Sequence, residues 1–210
     1  MPLSPARAPV ALPAQRTLEI AAPVIKVPTI LGLDPSLTAY GFALVTLEEQ
    51  PRVLVAGCVR TKPDNASKHV YQADRDGARI DELARGLLDV LARKPSLVAC
   101  EAPAGSQHAN AAKALGMSYG LTRALLVAVD VSVITVQAHE VKVTIGGGKG
   151  ASKDDVARGV TRITGWTSDA KNAPAREGEA DAVGVALTAM RSPAADALRR
   201  AFGAEGAGAR

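Results

Sequence analysis

Three carboxylates stand in apolar surroundings along this 210-residue chain: Asp34 in ILGLDP, Glu101 in LVACEAP and Asp181 in EADAVGVAL. A charge in a core is costly unless something neutralises it. Carboxylates that converge on one spot repel and raise each other's pKa unless a cation joins them. Hard oxygen ligands suit Mg2+ or Mn2+, and two such ions roughly 3.5–4 Å apart can activate water and stabilise the leaving oxygen of a phosphodiester. Each acid alone also has a plainer reading. Asp34 before Pro35 can cap a turn, Glu101 can pair with a lysine, and Asp181 can be an acid at a helix start.

The elements that would position these acids follow from the hydrophobic pattern. Residues 28–34, 40–47 and 53–61 are β-prone runs separated by turn-like segments, which predicts an antiparallel meander. Over 69–93, Ile80, Leu83, Ala84, Leu87, Leu88 and Leu91 recur at helical spacing. A buried strand is expected at 96–101 and ends on Glu101. A helix follows at 109–129, then a β-branched strand at 131–136 and a short helix at 138–145. Further helices are expected at 152–163, with Ser152 as N-cap and Asp154 and Asp155 in its first turn, and at 178–191. This order predicts an α/β fold, a mixed sheet with helices on both faces.

Composition sets the outer limits. Hydrophobic residues make up 47% of the chain and aromatics only 3%, so the core must be built from Ala, Val, Leu and Ile. No apolar run reaches the roughly 18 residues of a membrane span. Cys58 and Cys100 sit in apolar runs as small core residues, a usage that fits a reducing cytoplasm. The net charge of +4 leans towards a polyanionic partner. Residues 1–27 form a Pro/Ala-rich extension, 28–191 one domain without internal repeats, and 192–210 a short basic helix running into a Gly/Ala tail. The acid-poor N-terminus also resembles an organellar transit peptide but lacks its Ser-rich amphipathic pattern.

A basic strip supplies the second chemical signal. Lys142, Lys149 and Lys153 flank Gly146, Gly147, Gly148 and Gly150, and such ammonium groups and amides can follow a phosphate backbone. The alternative is a solvated loop. His69, His108 and His139 are scattered and read as surface residues or caps.

In this order the motifs resemble the RuvC-like Holliday-junction resolvases of the ribonuclease H-like superfamily. LGLDPSLTAYGFALV looks like their first-strand motif. Glu101 with NAAKALGMSYG is similar to the second, with Asn110, Leu115-Gly116 and Gly120 at the family's distances. VKVTIGGGKGASK resembles the basic third region through Lys142 and Lys153, and EADAVGVALTAM the final acidic helix. The resemblance spans roughly residues 28–191. It implies a five-stranded ribonuclease H-like sheet and a homodimer that nicks four-way DNA junctions in pairs. Asp34 would bridge two Mg2+ ions, with Glu101 and Asp181 each holding one. A soluble protein of a bacterial or phage-infected cytoplasm is the matching location.

Two positions depart from that pattern. Family members carry an acid or His three residues before the last Asp, where this chain has Gly178; Glu177, one turn from Asp181, is the candidate fourth ligand, and Glu179 should point away. Ala104 replaces an aromatic that wedges against the junction, which loosens the expected sequence preference. The helix at 109–129, with Ala111, Leu115, Tyr119 and Leu126 at helical spacing, is a candidate dimer face or plain core. Two other functions stay open on these residues: a non-catalytic junction- or RNA-binding member, and a ribonuclease H-like enzyme acting on RNA-containing substrates.

Overall fold

A computed structural model describes residues 27–62, 70–105 and 107–207, with backbone only from 203 onwards. The candidate N-terminal extension up to residue 26, His69 and the last three residues lie outside the described residues. Three strands open the fold, β1 (Thr29–Asp34), β2 (Ala39–Thr46) and β3 (Val53–Arg60), followed by α1 (Gln72–Leu91) and β4 (Leu97–Glu101). Then come α2 (Ala109–Ala128), β5 (Val133–Val136), α3 (Ala138–Thr144), α4 (Lys153–Thr164), α5 (Ala173–Ala189) and α6 (Pro193–Ala207). The sheet runs β3-β2-β1-β4-β5. The first three strands are the expected antiparallel meander, and β1, β4 and β5 run parallel.

Register is what sets the end of the sheet. Leu33 of β1 pairs with Cys100 of β4. Asp34 and Glu101, each one residue further on, therefore end neighbouring parallel strands at the same level. Side chains alternate faces along a strand. Ile30 and Ala99 belong to the core cluster beneath α5, so Asp34 and Glu101 share that face. Leu31, Leu33, Tyr40 and Leu44 point the other way, onto Leu83 and Leu87 of α1 and Leu126 of α2. With both faces covered, β1 reads as an unbroken apolar run and not as an alternating one.

Helix α5 lies almost against the sheet's backbone. A Cβ added at Gly32 would fall 2.1 Å from the Ala182 carbonyl oxygen, and one at Gly41 would fall 2.0 Å from that of Gly178. The helix meets these strands with Gly178, Ala182 and Ala186, spaced one turn apart, and Ala182 and Ala186 are fully buried. Its start differs from expectation. The helix begins at Ala173, where Asn172 caps it by accepting from the Ala175 amide at 3.0 Å and Pro174 occupies the first turn. An asparagine cap followed by proline marks that start better than the later apolar run does.

The other helices refine the expected stripes. In α1 the buried row is Leu83, Leu87, Val90 and Leu91, while Leu88 is 45% exposed, because it lies at the edge of the 3.6-residue face that Leu87 centres. In α2, Leu126 is buried and Tyr119 packs against the same core, so half of the stripe is core, the plainer of its two readings. Ala111 stays exposed. Ser152 caps α4 through a capping box with Asp155. Helix α6 continues through the Gly/Ala stretch, with Ala195 buried and Leu198 against the α5-side core. Among the described residues no helix is long and apolar enough to cross a membrane.

Glycine substitutions should separate close packing from helix propensity. Gly41→Ala forces an atom into the α5 backbone and should destabilise by about 1–3 kcal/mol or more. Gly77→Ala, in α1 with nothing within 4 Å of the added methyl, should stabilise by about 0.5–1 kcal/mol. Thermal melts of the two variants should therefore move in opposite directions.

Candidate active site

The three expected acids come together where β1, β4 and α5 meet. Burial, then the neighbouring charges of Glu101 and Asp181, push the Asp34 carboxyl up to about 8. Burial and the charge of Asp181 push Glu101 up to about 7. Asp181 is raised too, by burial and by Glu177, against the lowering pull of Lys153 and Lys142. Asp34 thus feels both other acids as like charges, Glu101 feels Asp181, and Asp181 feels Glu177.

Lys153, the first residue of α4, is the counter-charge. Its ammonium lies 2.7 Å from Glu177 Oε2 and 3.7 Å from Asp181 Oδ2. It also lowers the pKa of Asp34 and Glu101. The hydrogen bond to Glu177 raises Lys153 above its ordinary value and lowers Glu177 below its own. Among the described residues no three His, Cys, Asp or Glu side chains close tightly enough to clasp an ion as they stand. Like charges in low dielectric hold one another apart, and here a lysine mediates between Asp181 and Glu177.

The remaining candidates divide. Glu177 stands beside Asp181 but is half exposed, joined to it through Lys153. Glu179 faces elsewhere yet is not solvated: it is buried and accepts the hydroxyl of Ser168. Lys142, half-buried on α3, acts on Asp181. Lys149 is exposed in the Gly-rich turn. That turn is ordered, since the Gly148 amide donates to the Lys142 carbonyl and the Ala151 amide to that of Gly148. One amide of the glycine strip, that of Gly148, is therefore already used. His108 at the start of α2 and His139 in α3 are exposed.

Residues that hold the site were not legible as such. Gly178 faces the start of β2, where a Cβ would sit 3.3 Å from the Ala39 carbonyl oxygen and 3.5 Å from Gly41 Cα. The turn after Asp34 is fastened from α1: Arg79 Nη2 donates to the Leu37 carbonyl at 3.2 Å, and Arg79 Nε to Thr61 Oγ1 at 2.9 Å. Beneath it, the Tyr40 hydroxyl meets Thr122 of α2 at 2.5 Å, and Thr122 donates to the Ser118 carbonyl at 2.8 Å. The spacing of Gly178, Ala182 and Ala186 was the one available signal for the close helix; the Arg79 clamp left none. A concavity of about 480 Å3, floored by Ile145, Ile163, Leu187 and Met190, lies with Glu48 beyond the far end of β2, at the opposite pole from the acids.

The chain's relatives share this arrangement of elements. The family described as "Crossover junction endodeoxyribonuclease RuvC" matches residues 30–189. The protein of that name from Chlorobaculum parvum is 29% identical over 158 residues, covering 75% of this chain and 78% of its own. Its counterpart from Azoarcus sp. is 31% identical over 139 residues, 64% of this chain and 69% of its own. The structure of T. thermophilus RuvC in complex with a Holliday junction substrate superposes with a TM-score of 0.63 at 26% identity, covering 77% of this chain and 92% of that one. With a match across most of its length and the sheet order to go with it, the chain belongs to the RuvC family of crossover junction endodeoxyribonucleases.

Proposed function

We propose that this chain resolves four-way DNA junctions by paired nicks, with Asp34, Glu101 and Asp181 as its catalytic carboxylates. The observation that carries this reading is the charge coupling of Asp34 to Glu101 and Asp181, and of Glu101 to Asp181, which brings acids from β1, β4 and α5 together beside Lys153. RuvC enzymes are metal-dependent nucleases, and the donor set fits hard cations. The acids offer oxygen only, burial and then their neighbours' charges raise their pKa values, and Lys153 and Lys142 offset part of that at Asp181. Asp34, central to the trio, would contact both of two Mg2+ ions, with Mn2+ as a substitute; Glu101 and Asp181 would each hold one, and Glu177 would join once freed from Lys153. Such ions supply activation of water and charge neutralisation at the leaving oxygen.

The protein's own contribution is placement. The paired ends of β1 and β4 fix two carboxylates on rigid strands, and the Gly41–Gly178 contact fixes the third through α5. Lys142, Lys149 and Lys153 would bind the phosphates flanking the cut, holding the scissile bond in line for attack by water and leaving 5′-phosphate and 3′-hydroxyl ends. A four-way junction has two equivalent strands to cut, so a homodimer with two such sites suits it. A non-catalytic role would have drawn on Gly178 in place of an acid. A Cβ there would meet the Ala39 carbonyl oxygen tightly, at 3.3 Å, and Glu177 offers a carboxylate next to it.

A labelled four-way junction in Mg2+ tests the assignment. Asp34→Asn and Glu101→Gln should each remove several kcal/mol of transition-state stabilisation, about 10^3-fold in rate, while junction binding persists. Retained cleavage would sink it. Charge repulsion gives a second test in metal-free buffer. The unfolded chain loses the Asp34 and Glu101 protons near pH 4, whereas the folded site keeps them up to about 8 and about 7. Their stabilising contribution is full below pH 4 and lost as pH rises to about 8. In EDTA the melting temperature should fall over that range, and Asp34→Asn should melt higher than the parent at pH 8, by roughly 2–4 °C for each kcal/mol relieved. Added Mg2+ should raise the parent's melting temperature and not the variant's.

A further inference from the structure

The carboxylate end of the sheet has two flanks, and the cations discussed so far occupy the one bordered by α3 and α4. The other flank is the end of β3. Register pairs Arg60 with Ala39, so β3 finishes level with the turn that follows Asp34. Alternation along β3 fixes the direction of its last side chain. Ala56 packs into the core cluster under α5, and the thiol of Cys58 is pushed up to about 11 by burial and by the charge of Glu179 on α5. Arg60, two residues further, shares their face, which is also the face of Asp34, Glu101 and Asp181. Two strand spacings, about 9.5 Å, separate its strand from that of Asp34.

This end of β3 is pinned. Thr61 is buried; its amide donates to the Thr38 carbonyl at 3.2 Å and its hydroxyl to that of Leu37, and it accepts from Arg79 Nε at 2.9 Å. Arg60 and Lys62 on either side of it are exposed. Neither makes an ion pair among the described residues. The acids of α5 do not neutralise them: Glu179 is committed to Ser168 and Glu177 to Lys153. Two cations are thus displayed from a backbone fastened to the same turn as the central carboxylate.

We propose that Arg60 and Lys62 form a second phosphate-binding flank, so that the strand to be cut crosses the carboxylates between Lys142 and Lys153 on one side and Arg60 and Lys62 on the other. The inference rests on the reading of the carboxylates as a DNA-cleaving site. At about 9.5 Å from the β1 column, Arg60 is too far for the scissile phosphate and suited to a neighbouring one. Its planar fork grips two phosphate oxygens at once, which a lysine cannot do. The pinned backbone reduces the ordering cost of that grip.

Fluorescence anisotropy of the full chain on a labelled four-way junction in EDTA, titrated with salt, tests this directly. Arg60→Ala and Lys62→Ala should each weaken binding roughly five- to ten-fold near 0.1 M salt and reduce the slope of log K against log salt by about one. Arg60→Lys should restore the slope but only part of the affinity. Arg93→Ala, an exposed cation before β4 at the opposite pole, should leave both unchanged, and unaltered melting temperatures exclude unfolding. Parent-like binding by Arg60→Ala and Lys62→Ala overturns the second flank and leaves the nuclease reading intact. A parent that cleaves no junction, yet binds DNA with an Arg60-dependent salt slope, overturns the nuclease reading and supports the flank. A parent that binds no DNA overturns both.

Discussion

Helix α5 reaches the sheet only because no side chain stands between its backbone and those of β1 and β2. Gly32 and Gly41 on the strands, and Gly178, Ala182 and Ala186 on the helix, let main-chain atoms approach to distances that any Cβ at Gly32 or Gly41 would forbid. The consequence is chemical as much as structural. A helix set further out by ordinary side chains would carry Asp181 away from Asp34 and Glu101, which the strand register already holds level. The missing methyl groups therefore decide whether three carboxylates form one site or remain an isolated acid beside a strand-end pair.

Bringing these acids together creates a repulsion that the fold does not remove. Burial and then the neighbouring acids push Asp34 and Glu101 to about 8 and 7, and Lys153 lies among Glu177, Asp181 and the other two, with Lys142 also acting on Asp181. A purely structural cluster would gain by replacing one acid with an amide or an apolar residue, since buried charges without full partners are destabilising. The site instead sits at the open end of the sheet, while the apolar concavity lies at the other pole. Charge concentrated on an open surface suits a polymer laid across it, with cations as intermediaries, better than a small molecule enclosed in a cavity.

Much of this was legible in the sequence, and the boundary has a physical basis. Elements marked by an unbroken apolar run, such as β1, or by strong helical periodicity, such as α1, were placed to within a few residues. The carboxylate trio was legible because each acid interrupts an apolar run, and because the motifs recur in the order seen in RuvC relatives. Less legible were features set by tertiary contact. Leu88 satisfies the helical spacing but lies on the rim of the α1 face. Leu126, offered as a dimer surface, is core because α2 packs its Ser118–Thr122–Leu126 row onto the sheet beneath Tyr40. The Gly-rich strip looks flexible in composition, yet Gly148 and Ala151 spend their amides within the turn. Arg79 gave no local signal, since only the folded chain brings it to the Leu37 carbonyl.

The two departures from the family pattern have different weights once the packing is known. At Gly178 a Cβ would crowd the Ala39 carbonyl at 3.3 Å while meeting Gly41 at ordinary contact distance, so the position of the absent acid lies beside the close approach that positions Asp181. Ala104 differs: it is exposed in the segment after β4. With no aromatic there to insert among bases, selection of a branched substrate falls to geometry and charge. On the proposed reading, cations held on opposite sides of the acids would accept a strand only when its phosphates follow the path between them. Discrimination of that kind would read the shape of the backbone and not its sequence.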